Sequence, residues 1–265
     1  MDISTKNADR FSGFANAYDQ VRPQMPLYPV EVITQYLGKK PGLVVDLGSG
    51  TGLSTEIWKD HCEQVIGVEP NDDMRAVAEQ KADKNISFIK AFGHETVLES
   101  DCADVVICSQ SFHWMNPDLT LKEVDRILKK NGVFAAVDCD WPPVCGWQAE
   151  KAYMELSDAV SRIEEKNFDF KNGFVRWDKD KHLQNITNTG FFRYTREVIF
   201  SNTEPCDADR FIGIALSQGG LQSIIKQTPG LISADLEKLI ETMQNLFGDR
   251  KFEVDFGYRM RIGVK

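Results

Sequence analysis

Through the first half of the chain, short apolar runs alternate with segments whose apolar residues recur at helical spacing. The runs predict strands over residues 44–47, 64–69, 86–91, 104–109 and 133–138. Between them the spacing predicts helices from residue 53, over 72–82 and over 117–130, with Asn131-Gly132 as the stop of the last. Ahead of the first strand, residues 1–10 are polar and read as loosely held. Phe11, Phe14 or Ala15, Tyr18 and Arg22 follow helical spacing up to Pro23, and 30–37 gives a further helix. After 138 the pattern changes. A helix is predicted over 147–166, a polar stretch to 188, a strand over 191–200, helices over 206–217 and 233–247, and a last strand over 252–264. Alternating strands and helices predict an α/β fold with a mostly parallel sheet and helices on both faces.

The most informative stretch is Val44-Val45-Asp46-Leu47-Gly48-Ser49-Gly50-Thr51-Gly52, followed by Leu53-Ser54-Thr55-Glu56-Ile57-Trp58. It reads as a buried strand, a tight turn and a helix start. Glycine lets backbone approach a ligand closely, and the first N–H groups of a helix lack partners of their own. Dinucleotide sites use G-x-G-x-x-G, but here the spacing is G-x-G-x-G and Leu53 takes the third dinucleotide position. Asp46 at the strand end would repel a pyrophosphate and suit a ligand with an amino group. Glu69 ends the second strand, where a carboxylate can accept hydrogen bonds from ribose hydroxyls. Met74 is placed against the adenine or ribose, although an ordinary core methionine reads the same way. Ligands of open α/β sheets collect beyond the carboxyl ends of the strands, so Ser109, Gln110 and Ser111 should meet the reacting end of the ligand.

Net charge is −9, and no dense Lys/Arg cluster suggests a nucleic-acid surface. No apolar run approaches a membrane span, and the first residues lack a signal-peptide core. The six cysteines form no C-x-x-C pair and do not cluster with the four histidines. They read as reduced cytoplasmic thiols, with no metal site expected.

The Val44–Gly52 motif, Gly67-Val68-Glu69-Pro70, Ser109-Gln110-Ser111-Phe112-His113-Trp114 and Arg126-Ile127-Leu128-Lys129-Lys130-Asn131-Gly132-Val133 together resemble class I S-adenosylmethionine-dependent methyltransferases over residues 43–138. Tyr18-x-x-x-Arg22-Pro23 with the His113-Trp114 pair more weakly resembles a small-molecule subgroup that includes trans-aconitate methyltransferase-like enzymes. The resemblance implies a Rossmann-like class I methyltransferase fold with a seven-stranded sheet whose last two strands pair antiparallel. It implies S-adenosyl-L-methionine as cofactor, with Gly48, Ser49, Gly50, Thr51, Glu69 and Pro70 around it. Phe92, Gly93 and His94 would approach the adenine, although the family often has Ala-Glu there. The expected product is S-adenosyl-L-homocysteine.

The chain reads as one methyltransferase domain: an N-terminal helical flap (1–40), a cofactor-binding core (41–139), helical cap insertions (140–190 and 201–251) and last sheet strands (191–200 and 252–265). In the flap, Arg22 would hold a carboxylate of cofactor or substrate, and Tyr18 would line the reacting centre. The alternative is an amphipathic helix with a packed Tyr and a solvated Arg. Trp114 would enclose the acceptor. His113 is the one histidine suited to act as a base, against a structural role beside Trp114. The expected activity is methyl transfer to a small-molecule carboxylate or hydroxyl by a cytoplasmic monomer or homodimer. Nucleic acid and membrane are not expected partners. The alternatives are a noncatalytic S-adenosylmethionine-binding protein and a dinucleotide-dependent oxidoreductase.

Overall fold

The computed structural model describes residues 2–167, 170 and 173–265. An interior strand of the sheet, β1 (Leu43–Leu47), is apolar but for Asp46 and buried almost throughout. β2 (Gln64–Val68) and β4 (Ala103–Ser109) flank it in parallel, and β3 (Ile86–Ile89) extends the sheet beyond β2. The register places Val44 opposite both Val65 and Val105. Alternation along these strands feeds two cores. Val44, Val65 and Val105 pack on one face with Ile33 and Trp58, while Val45, Leu47 and Val106 pack on the other with Phe112, Leu121 and Ile127.

On the other side of β4 lie β5 (Leu128–Cys139), then β7 (Phe252–Val264) and β6 (Tyr194–Cys206) at the edge. The seven-stranded order is β3-β2-β1-β4-β5-β7-β6, with β7 antiparallel to both neighbours. Strand order reverses between β1 and β4, so a crevice opens beyond their carboxyl ends. The helices that cross between strands are α4 (Leu53–Ile57), α5 (Asp72–Ala78) and α6 (Pro117–Ile127).

Several boundaries differ from the sequence expectation. Residues 3–9 are a helix, α1 (Ile3–Asp9), capped by Asp2, whose carboxylate accepts from the Ile3 N–H at 2.7 Å. Phe11 lies in the following turn, and α2 (Ala15–Val21) carries Tyr18, with α3 (Tyr28–Leu37) after it. The α6 helix stops at Ile127, and the segment read as its last turn is already strand, with Leu128 opposite Ala103. β6 runs on to Cys206, paired with Phe252, so the break between the last two strands falls at 207–251. The polar stretch before residue 188 contains α8 (His182–Asn188). The cap comprises α7 (Trp147–Lys166) together with α9 (Ala208–Leu216), α10 (Gly219–Gln227) and α11 (Ser233–Phe247), of which α10 had no sequence expectation. No helix among the described residues is long and apolar enough to cross a membrane.

Candidate active site

The glycine turn closes the carboxyl end of β1. The Gly48 and Ser49 N–H groups donate to the Val68 carbonyl at 2.8 and 3.2 Å, which ties the turn to β2. Gly48 has φ +68°, and a Cβ there would meet Met115 and Ser111 side chains at 2.7 Å. Gly50 has φ +56° but faces open space, with nothing within 4 Å of an added Cβ. One residue is therefore glycine for packing and the other for clearance.

Glu69 stands across this clearance. Its carboxylate accepts from the Gly50 N–H at 2.9 Å and the Asn71 N–H at 2.8 Å. Burial raises its pKa to about 7 against these two bonds. Asp46 behaves differently from the expectation. It is fully buried behind the turn, outside the cavity lining, and accepts from the Ser54 and Thr55 hydroxyls at 2.7 Å each. Its charge steadies the start of α4 instead of facing a ligand's amino group, and burial raises its pKa to about 6.

The turn opens on a cavity of about 140 Å³. Gly48, Ser49, Gly50, Thr51, Glu69, Pro70 and Met74 line one side, Phe92, Gly93 and His94 another, and Ser109, Gln110 and Ser111 a third. Gln110 holds φ +57°, unusual for a side-chain-bearing residue, and its Nε2 is buried without a partner among the described residues. Tyr18, Arg22 and Trp114 complete the wall. Residues that the sequence reading missed also line it, among them Asn7, Phe11, Met115 and Trp141.

Asn7 shows why the N-terminal segment sits here. Its side chain donates to the Trp114 and Val175 carbonyls, both at 2.8 Å, and accepts from the Val175 N–H. Asn71 donates to the Ala8 carbonyl and the Ser12 hydroxyl, and Asp73 accepts from the Gly13 N–H. Lys81 pairs with Asp19 and donates to the Thr51 carbonyl at 2.9 Å, linking α2 to the glycine turn. On the outer side, Arg10 pairs with Glu164 of α7 and lies 3.7 Å from the centre of the Phe174 ring. Residues 7–19 thus bridge the cavity and the cap.

A second cavity of about 740 Å³ adjoins the first under α7 and the α9–α10 turn. Phe11, Tyr18, Arg22, Gln110, Trp114 and Trp141 border both. Arg22 lies between the Tyr18 and Trp141 rings, 4.8 Å from each centroid. It donates to the Ser217 carbonyl and Gln218 Oε1, and Gln218 in turn donates to the Tyr153 hydroxyl at 2.8 Å. No carboxylate among the described residues stands within ion-pairing distance of Arg22. His113 borders only the second cavity. Burial lowers its pKa to about 4 despite the opposing pull of Asp138, which leaves the ring neutral at pH 7.

Residues 45–136 match the family described as "Methyltransferase domain". A Saccharomyces cerevisiae protein assigned as an S-adenosylmethionine-dependent methyltransferase is 33% identical over 124 residues, 44% of this chain and 43% of that one. A methyltransferase-like protein of Schizosaccharomyces pombe is 28% identical over 60% of this chain and 59% of its own. The chain spans about half the length of the curated relatives it matches. Among solved structures, a protein from Anaeromyxobacter dehalogenans assigned as a type II methyltransferase superposes with TM-score 0.68. It is 19% identical, covering 92% of this chain and 97% of that one. A Haemonchus contortus phosphoethanolamine N-methyltransferase in complex with S-adenosylhomocysteine superposes with TM-score 0.58 at 15% identity, over 100% of this chain and 61% of its own. These two likenesses establish the fold.

Proposed function

We propose that this chain, whose residues 45–136 match a methyltransferase domain, is a class I S-adenosylmethionine-dependent methyltransferase that moves a methyl group from S-adenosylmethionine to a small molecule in the second cavity. One observation carries the reading. The glycine turn and the Glu69 carboxylate converge on one cavity, which shares a wall of aromatic residues and Arg22 with a larger chamber.

The residues present fit the cofactor. Gly50 leaves open space where a ligand can approach backbone, and the buried Ser49 and Thr51 hydroxyls and Gln110 Nε2 lack partners among the described residues. Glu69 uses one acceptor position of each oxygen on backbone N–H groups, leaving others for ribose hydroxyls. Phe92, His94 and Met74 supply an apolar and aromatic surface for a base; the Phe92 and His94 rings are stacked at 5.6 Å. When bound, the cofactor supplies an activated methyl group on a sulfonium.

The chain's own residues hold and shield. Tyr18, Trp114 and Trp141 border both cavities, so they enclose the path between donor and acceptor and keep water from it. Aromatic faces also attract a cationic centre. Arg22, without a carboxylate partner among the described residues, is placed to take one from the acceptor or from the methionyl end. A carboxylate acceptor needs no base at neutral pH, whereas a hydroxyl gains from one, and His113 is the histidine on that chamber.

Calorimetry tests the cofactor. S-adenosylhomocysteine should bind, and NAD should not bind comparably; tighter NAD binding would restore the oxidoreductase reading. Methyl-labelled S-adenosylmethionine with a metabolite extract tests the reaction, and cofactor binding with no labelled product would leave a noncatalytic binding protein.

A further inference from the structure

The chamber is bordered by His113, and behind His113 lies a buried charge that the reading above does not use. Asp138, next to last in β5, is 2% exposed. One carboxylate gathers groups from three separate segments. His182 Nδ1 stands 3.0 Å from Oδ2, and Arg261 Nη1 also stands 3.0 Å from Oδ2. His113 Nδ1 and Lys179 Nζ each stand 3.3 Å from Oδ1. Arg261 also donates to Glu197 Oε2 at 2.7 Å, so the cluster continues to β6. Burial pushes the Asp138 carboxyl upward, but His113, His182 and Lys179 outweigh it and hold it well below its usual range.

The consequence falls on His113. Its Nδ1 is buried and, among the described residues, has no partner other than this carboxylate. A lone pair directed at an ionised carboxylate would be repelled, so the ring proton belongs on Nδ1. The nitrogen that remains for the chamber is Nε2, with its lone pair. The 3.3 Å contact is not an aligned hydrogen bond; such contacts in ligand-free sites often tighten on binding. The backbone holds the same residue from elsewhere. The His113 carbonyl accepts from the Trp177 N–H at 2.8 Å, and the next carbonyl, of Trp114, accepts from Asn7.

Given the methyltransferase reading above, we propose that Asp138 is a positioning residue: it keeps the proton of His113 on Nδ1 and thereby presents Nε2 to a hydrogen-bond donor of the bound acceptor. Asp138 lines neither cavity. It works through the tautomer of the ring, as a buried carboxylate commonly does behind a functional histidine. The groups that face the ring are Asp138, Lys179 and His182. Of these, Lys179 and His182 are themselves held on Asp138, so the carboxylate sets the field at His113.

The test is nitrogen NMR of histidine-labelled full-length protein at pH 7, with the His113 signals identified by their loss in His113→Gln. The wild type should show His113 neutral, protonated on Nδ1. In Asp138→Asn the population should shift toward the Nε2-protonated form. S-adenosylhomocysteine affinity should stay within about twofold, because the affected ring borders only the second cavity. Transfer from labelled S-adenosylmethionine to a metabolite extract should fall roughly tenfold to a hundredfold. A wild-type ring protonated on Nε2 would overturn the proposal even if the variant does not fold. So would an unchanged tautomer in a folded Asp138→Asn, or a full transfer rate once the tautomer has changed. A wild type that fails to bind S-adenosylhomocysteine would instead sink the cofactor reading, and the histidine spectrum would still decide the tautomer.

Discussion

Replacing Glu69 with Gln changes one heavy atom and isolates the charge at the centre of the proposed cofactor site. The carboxylate has roughly four acceptor positions. The Gly50 and Asn71 N–H groups take one on each oxygen, at 2.9 and 2.8 Å. In Glu69→Gln the amide NH2 replaces one of these two oxygens, so one backbone N–H and one ribose hydroxyl lose their acceptor. The first loss is present with and without ligand; the second falls on the complex alone and costs about 1–3 kcal/mol. S-adenosylhomocysteine should therefore bind roughly 5- to 150-fold more weakly. The pH dependence gives a sharper test. Burial raises Glu69 to about 7, so the ligand-free protein carries a proton there below that pH. Ribose hydroxyls donate to the ionised form, so binding displaces the proton and weakens as pH falls. The ionised fraction drops from about 0.9 to 0.1 between pH 8 and 6, an affinity loss of about tenfold. Because the folded value is raised, the free protein should also lose stability as pH rises from the ordinary 4.5 toward 7. Gln cannot ionise and should flatten both profiles. Calorimetry at three pH values checks this. Affinity that is independent of pH in the wild type, or equal in the variant, would remove Glu69 from the binding site.

Gly50→Val meets nothing within 4 Å of its Cβ but is strained at φ +56°, so it should lower the melting temperature while the sheet still folds, and it should fail to bind S-adenosylhomocysteine by calorimetry because the side chain fills ligand space; normal binding by a folded variant would misplace the turn. Deleting residues 1–22 should abolish transfer far more than it lowers the melting temperature of the sheet, because it removes Asn7, Tyr18 and Arg22 from the walls; full transfer by the folded remainder would leave the pocket to the cap alone. The cavity of about 140 Å³ is smaller than the roughly 300–1,000 Å³ common for such ligands, so cofactor entry should require residues 7–19 to yield. Amide exchange in α1 and α2 that slows on adding S-adenosylhomocysteine would show this, and unchanged exchange would contradict it. At Asp104, burial is outweighed by Lys39, Lys129 and the Leu43 N–H, and the pKa falls to about 2; its stabilising contribution should hold above pH 4 and fade as pH drops toward 2, an acid limb that Asp104→Asn should lack.

The sheet was legible where local pattern and tertiary demand coincide. The run before Gly48 and the acid after Val68 announce two strand ends and the ligand between them, because both chemistries need few residues close in sequence. Elements fixed by distant partners were not legible. The α1 helix has a weak apolar pattern, and Asn7 is buried because Trp114 and Val175, far along the chain, satisfy it. Leu128 follows a strong helical pattern yet pairs with Ala103 as strand, so sheet pairing overrides local spacing. Asp46 reads as a ligand group from its place at the strand end, but Ser54 and Thr55 lie within one turn of the next helix and capture it. Asp138 and Trp141 give no signal in the sequence. Their surroundings come from β7, α8 and the N-terminal segment, which only the fold assembles.

Methyl transfer to a small molecule is tested by incubating the protein with methyl-labelled S-adenosylmethionine and a metabolite extract, then following label and S-adenosylhomocysteine by mass spectrometry. A labelled small molecule should form in step with S-adenosylhomocysteine, and both should be lost in Gly50→Val. Label confined to protein or nucleic acid, or no S-adenosylhomocysteine above the level of the variant, would contradict it.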